Sequence, residues 1–267
     1  MNHIEEAMKR VEAQKAVRRR ESGLEKGFWS GKLPNTVSNI PLMDEPRLLS
    51  AEELEALRII YPGGKNPRAV NAFRQLRTSL LRRSEERNFL LLVTGVGWQA
   101  GASFVARNLG AAFALDETMT ALLIDCNLDQ PQTSSLALAD GVEERPGLTD
   151  FLDGEVSQVE QIIYPTGVPR MRVIPVGSRR RHIREFFTSR RLPALFRELL
   201  GRYPDRFIIL DVPPIDENAD TRILAGLSNM VLLVVPYGRA TAFQIECAVD
   251  AIPDDRYVGS VVNNEPA

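Results

Sequence analysis

The chain has 267 residues, enough for one large α/β domain with an appendage and a well-buried core. Its 44% hydrophobic and 25% charged residues are ordinary for a globular protein, and a net charge of −2 gives no overall pull towards nucleic acid. Two cysteines (Cys126, Cys247) and two histidines (His3, His182) are too few for a disulfide framework, a His-based zinc site or a Ser-His-Asp triad.

Residues 1–22 place Ile4, Met8 and Val11 at helical spacing ahead of Arg18, Arg19 and Arg20, which predicts a short amphipathic helix. The N-terminus carries no apolar leader. The longest apolar run, Met230 to Val235, is too short to span a bilayer, so the expected location is the cytoplasm. Residues 23–49 hold Gly, Pro, Ser and Asn without periodicity and are expected to be a disordered linker. Ser50 and Glu53 have capping-box spacing ahead of Leu54, Leu57 and Ile59, and Pro62-Gly63-Gly64 stops the short helix they predict. A longer helix from Pro67 to Arg83 has Val70, Phe73, Leu76 and Leu80 as its apolar stripe, with Arg74 and Arg77 beside it.

From Phe89 onward, short apolar runs alternate with helical segments. Strands are expected at 89–94, 120–125, 171–176, 207–210, 230–235 and 257–262. Helices are expected at 103–115, 192–203, 220–227 and 242–252, with loop and short helices over 130–153. Continuous apolar strands of this kind mean an α/β fold, a mainly parallel twisted sheet with helices on both faces; the glycine-rich turn after the first strand, described next, makes the expected fold P-loop NTPase-like. The domain division that follows is 1–64, an amphipathic helix with a flexible linker, and 65–267, the P-loop NTPase-like domain.

The first strand runs into Gly95-Val-Gly-Trp-Gln-Ala-Gly101-Ala102-Ser103, and an Ala-rich helix begins there. This is the order of a phosphate-binding loop, in which backbone N–H groups cradle phosphate and a hydroxyl holds magnesium. Gly97, Gly101, Ala102, Ser103 and Phe104 are the candidate nucleotide-binding residues. Against G-x-x-x-x-G-K-[ST], Gly101 and Ser103 fit, but Val96 replaces the first glycine and Ala102 the lysine. All five lysines lie at or before residue 65, so none in the rest of the domain can substitute. Trp98 at the loop tip is expected to act as a plug, competing with phosphate for space.

Asp125 and Asp211 end two of the strands at what should be the carboxyl edge of the sheet, where such folds bind ligands. With Ser103 they are the candidate magnesium ligands, and they are the candidate residual catalytic acids. The basic stretch Arg179-Arg180-Arg181-His182-Ile183-Arg184 is expected to be a solvated loop. A different class is also open: Gly95, Gly97 and Gly101 after a strand, with Asp125 closing the next, imitate a dinucleotide-binding fingerprint whose last glycine is one residue too far on.

Taken together, residues 67–263 resemble the bacterial tyrosine kinases of exopolysaccharide and capsule synthesis, a branch of the deviant Walker ATPases. The carriers are Phe73-Arg74-Gln-Leu-Arg77-Thr78, the loop at 94–103, Leu122-Leu-Ile-Asp125, Pro146-Gly-Leu-Thr-Asp150, Val173-Ile-Pro-Val-Gly177, Ile209-Leu-Asp-Val-Pro-Pro214, Asp220 and Val261-Val-Asn263. The resemblance implies ATP or ADP with Mg as ligand, and a membrane polysaccharide chain-length regulator as partner. It also implies a peripheral position at the inner membrane, homo- or hetero-oligomers with an active family member, and an oligomer contact through Arg74 and Arg77. The departures fall at functional positions. Ala102 stands for the lysine, and Asp125-Cys126-Asn127-Leu128-Asp129 stands for Asp-x-Asp-x-Arg. Asn71 replaces the acid of the oligomer motif, and the five tyrosines (61, 164, 203, 237, 257) are scattered rather than clustered at the C-terminus. The expectation is a degenerate, regulatory pseudo-kinase that binds nucleotide weakly and no nucleic acid, with a weakly active kinase or ATPase as the alternative.

Overall fold

The computed structural model describes residues 2–22, 45–85, 87–131, 136, 145–178 and 186–263. The expectations for 23–44, for the basic stretch at 179–184 and for most of 130–144 lie outside the described residues.

Among the described residues, strands β1 (Leu90–Gly95), β2 (Thr120–Asp125), β3 (Tyr164–Pro165), β4 (Met171–Ile174), β5 (Arg206–Asp211), β6 (Met230–Pro236) and β7 (Tyr257–Asn263) form one sheet. Its order is β3-β4-β2-β5-β1-β6-β7. β1, β2, β5 and β6 are buried at every position, which is why they appear in the sequence as unbroken apolar runs rather than alternations. The pairings β2–β4, β2–β5, β1–β6 and β6–β7 are parallel. β3 pairs antiparallel with β4 at Tyr164 and Pro165. This two-residue strand was not foreseen, because two residues carry no periodicity.

The helices are α1 (Asn2–Ser22), α2 (Ala51–Ala56), α3 (Pro67–Arg83), α4 (Ala102–Ala114), α5 (Leu148–Asp153), α6 (Arg191–Arg202), α7 (Ala219–Leu227) and α8 (Ala242–Asp250). By contact the chain divides into two compact units. One comprises Met1–Ser30, Leu91–Val105 and Val212–Ala267; the other comprises Gly31–Leu90 and Ala106–Asp211.

In the first unit, α1 packs along α8. Among the residues of α1 whose side chains are described, Ala7, Val11 and Lys15 are buried, four residues apart; of the predicted stripe, Val11 is buried and Met8 partly so. Lys15 was not foreseen on this face. Its aliphatic stem lies on the buried face and its ammonium donates to the Ile252 carbonyl and pairs with Asp254 at 3.1 Å. In the same unit Thr94 and Thr221 both donate through their hydroxyls to the Pro213 carbonyl, at 2.8 and 3.1 Å, which fixes the chain just after β5.

In the second unit, Phe89, Phe113 and Phe207 form the aromatic centre. Phe113 stacks on Phe207 with centroids 4.5 Å apart, and Phe89 meets both edge-on at 5.8 and 5.1 Å. The predicted capping box closes α2 at both ends of the motif. The Glu53 N–H donates to Ser50 Oγ at 3.2 Å, and the Ser50 N–H donates to Glu53 Oε2 at 2.8 Å. This helix ends at Ala56, short of the expected Pro-Gly-Gly stop. Arg58 takes φ +54°, and the Ile59 N–H turns back to the Leu54 carbonyl at 2.8 Å, a Schellman-type ending.

Residues 45–49, counted in the disordered linker, are instead tied to the fold. The Leu49 N–H donates to the Gly167 carbonyl at 3.0 Å, the Gly167 N–H donates to Glu45 at 3.1 Å, and Glu45 pairs with Arg172, both side chains being buried. Composition could not reveal this, because the partners lie more than 100 residues downstream.

Candidate nucleotide-binding site

The expected phosphate loop is present as a turn between β1 and α4 in the first unit. β1 is extended by one residue, since the Val96 N–H donates to the Val234 carbonyl at 2.9 Å. Val96 therefore occupies a strand position, buried, where a P-loop has its first glycine. Gly95 allows the return: a Cβ there would lie 2.7 Å from the Ala100 methyl. Gly97, Gln99 and Gly101 take φ of +68°, +60° and +92°, the left-handed conformations of a tightly folded loop. Ala102 and Ser103 then open α4, and the Val105 N–H donates to the Gly101 carbonyl at 3.0 Å.

Three side chains of the same unit hold this loop. Gly97 N–H donates to Asp216 Oδ1 at 3.4 Å, Arg239 Nη2 donates to the Gln99 carbonyl at 2.6 Å, and Asn263 Nδ2 donates to the Ala100 carbonyl at 3.0 Å. Asn263 crosses Gly101 so closely that a Cβ on Gly101 would lie 2.0 Å from its amide nitrogen. Trp98, expected as a plug, is instead 39% exposed. The residues seen holding the loop are polar ones, and Asp216, Arg239 and their role were not foreseen. No local pattern marks them, because they come from turns more than 110 residues away.

The two expected acids lie in the second unit and are brought together there. β2 and β5 pair so that Asp125 and Asp211 are register partners at the ends of their strands, both fully buried. The Cys126 N–H donates to the Asp211 carbonyl at 2.9 Å, extending the ladder past the strand. Asp125 Oδ1 accepts the Asn127 N–H at 3.0 Å, and Asn127 Oδ1 accepts the Gln130 N–H at 3.0 Å. Asn127 thus works as a turn former, a role that needs an acceptor but no charge. The Cys126 thiol is pushed well above the usual range by burial and, after that, by the charges of Asp125 and Asp211.

The oligomer-contact candidates lie on α3. Arg74 and Asn71 are exposed. Arg77 is half-buried and committed within the chain, its Nη1 donating to the Ala112 carbonyl at 2.8 Å and its Nη2 lying 3.9 Å from Asp116.

In the second unit β2 and β5 end in a carboxylate pair whose chemistry suits magnesium; in the first unit, the loop offers a nucleotide its backbone donors and the Ser103 hydroxyl. What it lacks is a cation at position 102, and one of its donors, Gly97 N–H, already faces a carboxylate.

No family model matches the chain. It is 32% identical over 178 residues to a putative tyrosine-protein kinase, EpsB, of Ralstonia solanacearum, a match covering 66% of this chain and 23% of that protein. It is 28% identical over 195 residues to the tyrosine-protein kinase CpsD of Streptococcus agalactiae, covering 72% of this chain and 80% of that one. The chain thus spans about a quarter of the length of the first of these relatives. Among solved structures, the kinase domain of the Escherichia coli tyrosine kinase ETK superposes with a TM-score of 0.66 at 24% identity, covering 84% of this chain and 85% of that one. The MinC:MinD cell division complex of Aquifex aeolicus gives 0.50 at 16% identity, over 65% and 67%. The likeness in structure shows the fold, a P-loop NTPase-like one, and the sequence matches show the descent: the chain is a homologue of bacterial tyrosine-protein kinases.

Proposed function

We propose that this protein is a pseudo-kinase of polysaccharide synthesis or export, a regulatory partner rather than a phosphoryl-transfer catalyst. The observation that carries this reading is Ala102 at the start of α4, where a kinase of this fold needs a cation aimed at the phosphates. Phosphoryl transfer depends on positioning and charge stabilisation, and loss of one such charge typically costs about 3–4 kcal/mol, a hundred- to a thousand-fold in rate. Asn127 in place of an acid removes a second charge. Four of the five tyrosines are engaged within the chain. Tyr164 and Tyr257 are buried, with hydroxyls engaged by the Pro146 carbonyl at 2.8 Å and by Ser260 at 2.7 Å. Tyr61 is bonded to Glu55 at 3.0 Å, and Tyr203 lies under the Arg206 guanidinium.

The relatives' names supply the setting. They are tyrosine-protein kinases, and the family resembled acts with a membrane chain-length regulator. We assign this chain the same partner, a peripheral place at the inner membrane, and hetero-assembly with an active family member. Among the described residues no helix is long and apolar enough to cross a membrane. In the first unit, the backbone of Gly97, Gly101, Ala102 and Phe104 and the Ser103 hydroxyl are the groups we assign to weak nucleotide binding; in the second unit, Asp125 and Asp211 are the acids we assign to Mg.

A second reading, a weakly active ATPase or kinase, is favoured by the retained pair of buried strand-end acids. Incubation of purified protein with labelled ATP and magnesium separates the two. The pseudo-kinase reading expects no label above background; strong labelling of any of the five tyrosines overturns it.

A further inference from the structure

The loop between β1 and α4 turns its backbone inward through three left-handed residues, Gly97, Gln99 and Gly101. Successive N–H groups arranged in this way form a nest that selects an anion. In this chain the Gly97 N–H faces Asp216 Oδ1 at 3.4 Å, a long hydrogen bond. A second carboxylate stands beside it: Glu217 Oε1 lies 3.8 Å from where a Cβ on Gly97 would be.

Asp216 is held in place by its own turn. Arg222 donates from Nε to the Ile215 carbonyl and from Nη2 to the Asp216 carbonyl, both at 3.1 Å. The Glu217 N–H donates to the Pro214 carbonyl at 3.3 Å, and Asn218 accepts the Thr221 N–H at 3.0 Å as the cap of α7. The acid therefore belongs to a braced segment anchored between β5 and α7. Arg239 and Asn263, bonded to the Gln99 and Ala100 carbonyls, hold the other side of the loop and leave the Gly97 N–H to the carboxylate.

We infer that Asp216 is an internal anion occupying the phosphate position of the loop, so that a phosphoanhydride binds only by displacing it. The inference rests on the reading of this loop as a residual nucleotide site and gives that site its regulation. Weak binding then has two separable causes, the missing cation at 102 and a carboxylate already in place, with Glu217 adding repulsion of the same sign.

The test uses the full chain and inorganic pyrophosphate as probe, without magnesium, so that neither catalysis nor metal binding enters. Calorimetry compares the unaltered protein with Asp216→Ala and Asp216→Asn. Removing the charge should tighten pyrophosphate binding at least tenfold in Asp216→Ala, with a smaller gain in Asp216→Asn, which keeps shape and acceptor. In a Trp29→Phe background Trp98 is the sole tryptophan, and its emission should respond to pyrophosphate at the same concentrations. Unchanged or weaker pyrophosphate binding in both variants, with native circular dichroism, overturns the inference. The labelled-ATP experiment decides the pseudo-kinase reading independently: labelled tyrosine would end that reading and leave the pyrophosphate comparison intact.

Discussion

The two cysteines differ by environment in a way that chemistry can read. Cys126 is buried, with its thiol pushed far up by burial and by the charges of Asp125 and Asp211, whereas Cys247 on α8 is exposed. A thiolate is the reacting form, so the first is inert and the second is not. A disulfide reagent at pH 8 should therefore titrate one thiol in the folded protein and two after denaturation. Fast reaction of two thiols without denaturant would show that the strand-end acids are not packed as described. The same pair of acids explains why Asn127 is tolerated: its contribution to the turn is an acceptor oxygen, and the charge that magnesium handling would want is dispensable to folding.

At the scale of elements, α1 is attached through a narrow stripe, and Lys15 is its polar anchor. Lys15→Met keeps the stem and should leave α1 docked, because exchanging a buried charge for an apolar side chain of similar volume is commonly neutral. Lys15→Glu would point a carboxylate at the Ile252 carbonyl and at Asp254. That variant should release α1, seen as faster tryptic cleavage after Lys9 and Arg10 than in the unaltered chain. Equal protection of the two variants would mean that Ala7 and Val11 suffice. A second anchor is Glu45, whose carboxyl is raised above 4.5 by burial, against the opposing hydrogen bond and charge of Arg172 and the Gly167 N–H. The folded chain thus holds this proton more tightly than the unfolded one. The stability Glu45 contributes is full below about 4.5 and is lost as pH rises through its folded value. Glu45→Gln should flatten that part of the pH–stability curve, and an unchanged slope would show that Glu45 is not its source.

For the whole molecule, assembly is the open quantity that α3 bears on. The subunit-contact motif of the resembled family keeps Arg74 and Arg77 but has Asn71 for its acid, and Arg77 is engaged by Ala112 and Asp116 of its own chain. Breaking one member of a buried ion pair costs about 3–5 kcal/mol, enough to dissolve a ring contact that depends on it. The protein alone is expected to sediment as a monomer or as a weak oligomer that dissociates on dilution from micromolar concentration. A single ring species indifferent to dilution would show that other residues close the contact. An acid restored by Asn71→Glu should then strengthen self-association only if Arg74 or Arg77 is accessible to a neighbour.

The sequence alone determined the elements whose information is local. Continuous apolar runs announce buried parallel strands, as at 120–125, where the expected and observed bounds coincide. The capping box at Ser50 and Glu53 and the Pro67–Arg83 helix were legible for the same reason, since helix signals lie within a few residues of what they govern. The loop's missing lysine and the two strand-end acids were likewise written in order along the chain. What only tertiary structure decided is what meets across long separations. Register sets Asp125 level with Asp211, and Arg172 captures Glu45 from a segment that composition marks as linker. Lys15 ties α1 to the Ile252 carbonyl and Asp254, and Asp216, Arg239 and Asn263 converge on the loop from three later turns and strands. None of these has a spacing, because hydrogen bonds and ion pairs between distant segments depend on where the sheet carries them, and the sheet is a property of the whole chain.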